Sequence, residues 1–469
     1  MQKEWRAGSF HRFAGPLFSL FPPCLRGSNS AFFFNKNEKS VPLDWRRSAH
    51  LGPTFGLRLP HVANYRIGGY SARMINYSFF APRQIVFGWG RRSELGTLAA
   101  GLGRRALVVS GSRTLERIGV IDQLVEILDS AGLDVLGFPV DSREPEVRDV
   151  DQLVSAIRAL NPTDQDVVVA IGGGATIDLA KAAAALATNR QGDSVAEFLE
   201  GIGRGLQITQ APLTLIAVPT TAGTGAEATK NAVISSNSAG EIGAAGPYKK
   251  SLRSDLMVPR LVIVDPELTV SVPPNTTAYT GMDAITQLIE SHISRRAAPI
   301  PQALCRQGLQ LAIPALPATV ADGSLREPRE AMSHAALLSG MALANSGLGL
   351  AHGVAAALGV ICRVPHGLAC AVMLPVALKV NRDVSRQRLA ELESLFDPGT
   401  RDDAVGADRF IERIERLCRA VGIPSRLRDI GVLYEQLPSL VPASRGNSMS
   451  GNPRDVSDGE LQHILEQLW

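Results

Sequence analysis

The sequence predicts an α/β domain built on a parallel sheet, followed by an all-helical domain. Three observations carry this. Short, continuous apolar runs alternate with helical patterns through the middle of the chain, as expected for parallel strands covered on both faces. After Pro273–Pro274 the texture changes to Ala/Leu-rich helical periodicity and no strand pattern returns. The 469 residues, 45% apolar and 20% charged, suit two or three globular domains and exclude a disordered or collagen-like chain. No run of 18 apolar residues occurs, so no membrane-spanning helix is expected. The five cysteines are scattered, with no CxxC pair. That argues against a disulfide framework or a structural zinc site and for a reducing cytoplasm.

Residues 1–73 read differently from the rest. They carry 11 Lys/Arg against 3 Asp/Glu, whereas the other 396 residues carry 37 against 42, and they hold 12 of the 25 aromatic residues. Phe32, Phe33 and Phe34 run together, Pro22–Pro23 breaks the most apolar stretch, and no helical or strand period emerges. Three readings compete: a start placed too early, an Arg-rich organelle transit peptide, or an arm for nucleic acid or membrane. Glu4, the prolines and the lack of an amphipathic repeat oppose the transit peptide. The scatter of the basic residues opposes the arm, since phosphates and anionic lipid call for clustered charge. The weight falls on a start at Met74, with neither nucleic acid nor membrane as a partner. The expected domains are therefore a non-conforming leader over 1–73, an α/β domain over 74–272 and a helical domain over 273–469.

The strands follow in order. ALVVS (106–110) precedes a helix over 112–128, LDVLGF (133–138) a helix over 147–160, and VVVAI (167–171) a helix over 176–187. LTLIAV (213–218) and LVIV (261–264) complete the sheet. Between these last two, NAVIS (231–235) and EIGAA (241–245) flank a Gly-containing turn and predict a β-hairpin.

Two glycine-rich turns follow strands. Gly172, Gly173 and Gly174 close one strand and open a helix, where backbone N–H groups and the helix dipole can cradle a pyrophosphate. The triplet is not the GxGxxG fingerprint. PTTAGTG places Thr220 and Thr221 at the end of another strand, with hydroxyls suited to phosphate or ribose. Both turns fall at the carboxyl ends of strands, where open α/β sheets bind ligands. The first strand ends in Ser110-Gly111-Ser112-Arg113 rather than in a carboxylate. Gly111 leaves room there, and Ser112 and Arg113 can meet a 2′-phosphate, which favours NADP(H); Asp141, after the next strand, could instead bind ribose hydroxyls.

In the helical half, Asp283 and Gln287 stand four apart on one helix face, while His292 falls on the opposite face and reads as packing or surface. His352 and His366 would be ~21 Å apart on an unbroken helix, but Pro365 allows the chain to turn back. One carboxylate, two imidazoles and an amide oxygen make a plausible divalent-metal site. Cys362 and Cys370 read as small apolar fillers.

Together, GGGATIDLAK, PTTAGTGAE, LVIVDPELT, GMDAITQLIE, GLGLAHG and VPHG resemble the iron-containing (group III) alcohol dehydrogenases from about Met74 onward. The resemblance implies a dehydroquinate synthase-like fold with the active site between its domains, and NAD(P)-linked exchange between small alcohols and aldehydes or ketones. It implies a divalent metal, Fe²⁺ first and Zn²⁺ second, and a homodimer in the cytoplasm. It assigns Gly172, Gly173, Gly174, Asp178, Lys181, Thr220 and Thr221 to the cofactor side, with Gly111 and Ser112 beside them. It assigns Asp283, His352 and His366 to catalysis and metal binding, with Gln287 in the place of a fourth ligand that is usually histidine. Ala356 stands where the family often has a second histidine. The rivals are a metal-free reductase of an oxo-acid, similar to maleylacetate reductase, a lyase of the dehydroquinate synthase type and a catalytically dead nucleotide-binding relative. The segment PTTAGTG and the presence of Asp283 weigh against the first.

One prediction follows directly from the leader. A protein beginning at Met74 is expected to be as soluble and as active as the full chain; aggregation or loss of turnover would make residues 1–73 part of the fold.

Overall fold

The computed structural model describes residues 76–236 and 247–469; the leader over 1–73 lies outside the described residues. The first half contains β1 (Gln84–Phe87), α1 (Leu95–Ala100), β2 (Arg105–Ser110), α2 (Arg113–Arg117), α3 (Val120–Ser130), β3 (Asp134–Pro139), α4 (Val147–Ala159), β4 (Asp166–Gly172), α5 (Gly174–Thr188), β5 (Thr214–Pro219), β6 (Asn231–Ser236), β7 (Tyr248–Arg253) and β8 (Leu261–Val264). Six of these strands form one sheet in the order β1-β8-β5-β4-β2-β3, and every pairing in it is parallel.

Alternation along the strands explains the two covered faces. Leu107 and Val109 of β2 and Val168 and Ala170 of β4 pack with α4 and α5. Their neighbours Ala106, Val108, Val167, Val169 and Ile171 pack with α1 and α3. β4 is buried along its whole length, which is why its sequence reads as an unbroken apolar run.

Two local expectations need correction. The helix expected over 112–128 is two helices, because Gly119 adopts φ +76° and restarts the chain as α3; a left-handed residue ends one helix and glycine does so without a Cβ clash. The strand that pairs antiparallel with β6 is β7, with Asn231 opposite Arg253, so the hairpin's second arm is Tyr248–Arg253. The segment 241–245 expected in that role lies outside the described residues.

From Pro274 onward the described residues form no strand. The helices are α6 (Pro274–Ile293), α7 (Pro299–Ala321), α8 (Arg326–Ala344), α9 (Leu350–Cys362), α10 (His366–Asn381), α11 (Arg386–Glu393), α12 (Asp403–Ala420), α13 (Leu437–Ala443) and α14 (Asp458–Leu468). They share one apolar core around Ile285, Leu288, Leu309, Leu374 and Phe410. α6 runs through its middle and packs on α7, α8 and α10. No helix among the described residues is long and apolar enough to cross a membrane.

The two halves meet at a contact that only glycine permits. A Cβ on Gly225, after β5, would lie 2.4 Å from the Cα of Gly340 on α8, and one on Gly340 would lie 2.2 Å from the Gly225 carbonyl oxygen. The loop after β5 therefore sits directly against α8.

A buried ion pair anchors the other side of that loop. Lys181 Nζ, on α5, lies 3.0 Å from Asp178 Oδ1 and donates to the Ala226 carbonyl (2.8 Å), to Thr229 Oγ1 (2.8 Å) and to the Asn231 carbonyl. The Val233 N–H donates to Asp178 Oδ2 (3.0 Å). Burial pushes the Lys181 pKa down and the Asp178 pKa up, against their mutual attraction. Removing one partner of a buried pair typically costs about 3–5 kcal/mol. Lys181→Met is therefore expected to lower the denaturation midpoint strongly, and Lys181→Met with Asp178→Asn to recover a large part of the loss. Urea melts of the three proteins would check this, and additive losses in the double variant would refute the pairing.

Candidate active site

The turn from α9 into α10 builds the centre of the site. α9 ends at Cys362, Arg363 takes a left-handed conformation (φ +57°), and α10 begins at His366 directly after Pro365. Proline cannot continue α9 and suits a helix start. The reversal brings the His352 and His366 rings to 5.6 Å between centroids, not the ~21 Å of a continuous helix.

Asp283 projects from α6 into the same place. Its Oδ1 lies 3.3 Å from His352 Nε2 and 3.8 Å from His366 Nε2. Neither Asp283 Oδ1 nor His352 Nε2 has a hydrogen-bond partner, although both are buried. Buried polar atoms are nearly always satisfied, so this convergence of two imidazoles and a carboxylate suits a divalent cation. The chemistry of the donors also fits, since carboxylate oxygen and imidazole nitrogen are standard ligands of divalent iron and zinc.

Two residues not anticipated from sequence complete the arrangement. Glu290 lies seven residues after Asp283, two turns along the same helix. Its carboxylate accepts from His352 Nδ1 (2.7 Å) and from the N–H groups of Gly349 (3.0 Å) and Ala351 (2.7 Å) at the start of α9. It caps α9 and at the same time leaves Nε2 of His352 as the atom that faces Asp283. Cys370 lies one turn after His366, and its Sγ is 3.7 Å from His366 Nε2. Donor atoms of Asp283, His352, His366 and Cys370 all fall within 4.8 Å of one another. Cys370, read from sequence as an apolar filler, is fully buried in the helical core and also brings its sulfur to this cluster; the four-residue spacing from His366 was the available signal. Cys362 is held apart from the cluster, donating to Gln436 Oε1 (3.3 Å).

The charges in the cluster depend on one another. Burial opposes charge on His352, but Cys370, Asp283 and Glu290 outweigh it and raise its pKa well above the imidazole range. Burial also works against the Asp283 carboxylate, yet the two histidines hold its pKa below the usual value. Burial and the nearby Lys249 ammonium push His366 down to about 4. Burial pushes the Cys370 thiol up to about 12. A cation bound here would displace protons from these groups.

The remaining expected residues fall as follows. The Gln287 amide is anchored on α8, where the Ser339 hydroxyl donates to its Oε1 (2.8 Å). His292 is buried beside Glu391 (3.7 Å) and takes no part. A cavity of about 930 Å³ runs from the cluster to the sheet and is lined by Gly174, Asp178, Thr224, Lys249, Ala356 and His366 among others. Gly173 begins α5 without a side-chain cap, so its first N–H groups remain available to a phosphate. A Cβ on Gly174 would lie 2.3 Å from Thr224 Oγ1, which brings the two glycine-rich turns into contact. Gly172, Gly173, Thr220 and Thr221 stand behind that lining at the ends of β4 and β5, where the Thr220 N–H donates to the Gly172 carbonyl (3.0 Å). Lys181 does not reach the cleft, because its three N–H groups are spent on the loop after β5. At the end of β2, a Cβ on Gly111 would lie 2.0 Å from Thr176 Oγ1, so that glycine serves the packing of α5. Ser112 caps α2 through the Leu115 N–H (3.4 Å). Arg113 pairs with Asp141 at 3.3 Å, both exposed.

Residues 82–266 match the family described as iron-containing alcohol dehydrogenase, and residues 277–469 match the C-terminal region of the Fe-containing alcohol dehydrogenase family. The chain is 31% identical to the NAD-dependent methanol dehydrogenase of Bacillus methanolicus over 393 residues, which cover 83% of this chain and 99% of that protein. It is 32% identical to the 1,3-propanediol dehydrogenase of Citrobacter freundii over 413 residues, covering 87% and 100%. The crystal structure of sulfoacetaldehyde reductase from Bifidobacterium kashiwanohense in complex with NAD+ superposes with a TM-score of 0.74 at 31% identity, covering 84% of this chain and 99% of that one.

Outer partners of a metal-ligating histidine typically contribute 10–100-fold in affinity. Glu290→Gln is expected to weaken Zn²⁺ binding by about that factor in a chelator competition, and to lower the melting temperature through loss of the α9 cap. Unchanged metal affinity would mean that Glu290 acts only as a cap.

Proposed function

The chain belongs to the iron-containing alcohol dehydrogenase family, with the dehydroquinate synthase-like fold, and from that premise we propose that it is a metal-dependent oxidoreductase of small alcohols and aldehydes that accepts NADP(H) as well as NAD(H). That it is an alcohol dehydrogenase follows from the family and from its named relatives. The observation that carries the metal dependence is the convergence of Asp283, His352 and His366 around two buried, unpartnered atoms. A divalent cation in that place supplies Lewis acidity toward a substrate oxygen, which eases loss of the alcohol proton.

The chain's own groups do the rest by position. Asp283, His352 and His366 hold the cation, and Glu290 fixes the ring of His352. The N-terminus of α5 and the turn after β5 would orient the dinucleotide, Gly172, Gly173, Gly174, Thr220 and Thr221 through backbone and hydroxyl groups and Asp178 at the cavity wall, and the nicotinamide would supply the hydride chemistry. Ala356 offers a methyl group where an imidazole would carry a proton, so the proton leaves through water or a ribose hydroxyl. The division at 272/273 separates the nucleotide-binding half from the metal-binding half, and the family resemblance supports a homodimer. The cytoplasmic reading rests on the few, scattered cysteines of the sequence and its lack of a CxxC pair.

The cofactor reading rests on the end of β2. No carboxylate closes that strand, and Arg113, 80% exposed at its side chain and paired only at the surface with Asp141, can exchange that contact for a 2′-phosphate. Asp141 beside it is available to ribose hydroxyls, which is why both cofactors are expected.

The test is a purified enzyme stripped by chelator, assayed with both cofactors over C1–C4 alcohols, diols, aldehydes and oxo-acids, before and after Fe²⁺, Zn²⁺ or Mn²⁺ is restored. Turnover should vanish on stripping, return with metal and be abolished in His352→Ala. Full activity after exhaustive chelation, with near-normal kcat in His352→Ala, would instead establish the metal-free reductase. A preference for NAD(H) above about tenfold in kcat/KM, some 1.4 kcal/mol, would refute the role given to Arg113, and Arg113→Ala should lower kcat/KM for NADPH selectively.

A further inference from the structure

We propose that Cys370 is the fourth protein ligand of the cation site, taking over from the imidazole that is missing at Gln287, and that the resulting Asp–His–His–Cys set favours Zn²⁺ over Fe²⁺. This rests on the metal-dependent reading above and specifies its ligand set.

The first argument is spacing. Donors arranged tetrahedrally at zinc bond lengths lie roughly 3.3–3.8 Å from one another. Asp283 Oδ1 to His352 Nε2 is 3.3 Å, Asp283 Oδ1 to His366 Nε2 is 3.8 Å, and Cys370 Sγ to His366 Nε2 is 3.7 Å. The other separations in the set stay within 4.8 Å. Three of the six separations already match such a shell.

The second argument is direction. His366 and Cys370 are one turn apart at the start of α10, so both present to the same side, where α10 packs on α6. Asp283 Oδ1 and His352 Nε2 are buried, unpartnered and aimed into the same space. Gln287, which also lines the cavity, shares the Ser339 hydroxyl of α8 with the Ala336 carbonyl, and its neutral oxygen is a weaker donor than a thiolate for a borderline-soft cation.

The third argument is access. Asp283, His352 and His366 line the cavity, whereas Cys370 is fully buried and does not. With four protein donors the tetrahedral shell is filled, so a sulfur ligand coming from the wall behind the cation leaves the cavity side as the face on which a substrate oxygen would enter as a fifth ligand. Thiolate softness shifts the preference from iron toward zinc; the thiol proton leaves to solvent when the cation binds.

The experiment uses the full chain, stripped and reloaded with Co²⁺ as an optical stand-in for zinc. Wild type and Gln287→Leu should each bind one equivalent of Co²⁺ and show the intense near-ultraviolet band of a thiolate–cobalt bond, while Cys370→Ser and Cys370→Ala should lack it. Zn²⁺ affinity of the Cys370 variants, measured by chelator competition, should fall by at least about 100-fold, the upper end of what outer-sphere losses cost. Metal analysis of the protein as purified should find more zinc than iron. One equivalent of bound Co²⁺ without the thiolate band overturns the role of Cys370 and leaves the metal-dependent enzyme standing. Failure of wild type to hold Co²⁺ or Zn²⁺ overturns both. Should the Cys370 variants fail to fold, the presence or absence of the band in wild type still decides.

Discussion

Two buried carboxylates on α6 impose most of the order seen in the helical half. A carboxylate removed from water must meet donors or a cation, or it loses its charge. Glu290 meets the free N–H groups at the start of α9 and the Nδ1 of His352. That contact settles where α9 begins, how it lies against α6 and which nitrogen of His352 faces inward. Asp283, two turns earlier, then finds two imidazoles and a thiol instead of water. The same rule of satisfying buried charge therefore caps a helix at one residue and assembles a ligand set at the other.

The sheet half obeys a comparable constraint. The turns after β4 and β5 bring their backbones together, and side chains are excluded where they cross. Gly174 yields to Thr224, and Gly225 yields to Gly340 on α8. Lys181 holds the following segment from below through two carbonyls and a hydroxyl. The loop that joins the nucleotide side to the helical side is thus fixed from both directions. Its position matters because the cavity runs between the uncapped start of α5 and the histidine cluster. A displaced loop would change the distance between a dinucleotide and the cation site, and hydride transfer is sensitive to such distances.

The sequence by itself determined the order of strands and helices, the change of texture near Pro273 and the meeting of His352 with His366. Apolar runs, glycine turns and a proline break are local signals, and each acts within a few residues of where it is read. Five of the sheet's six strands followed from the same signals, most clearly β4, which is buried on both faces and apolar throughout; the edge strand β1, QIVF and only partly buried, was not among them. What sequence could not decide was what each polar group would find across the fold. Lys181 sits in a motif that suggests the cofactor, yet its donors turn toward the loop after β5, because that loop brings two carbonyls and a hydroxyl to it. Gln287 occupies a ligand's position on α6, but Ser339 arrives from α8. Cys370 looked like packing until α10 came down on α6 and placed its sulfur beside three other donors. Glu290 was one acid among many until α9 presented its bare N–H groups. For Lys181, Gln287 and Glu290 the partners lie 45 residues or more away along the chain, and for Cys370 the carboxylate of Asp283 comes from another helix; only the packing of helix on helix or loop on helix brings them within bonding distance.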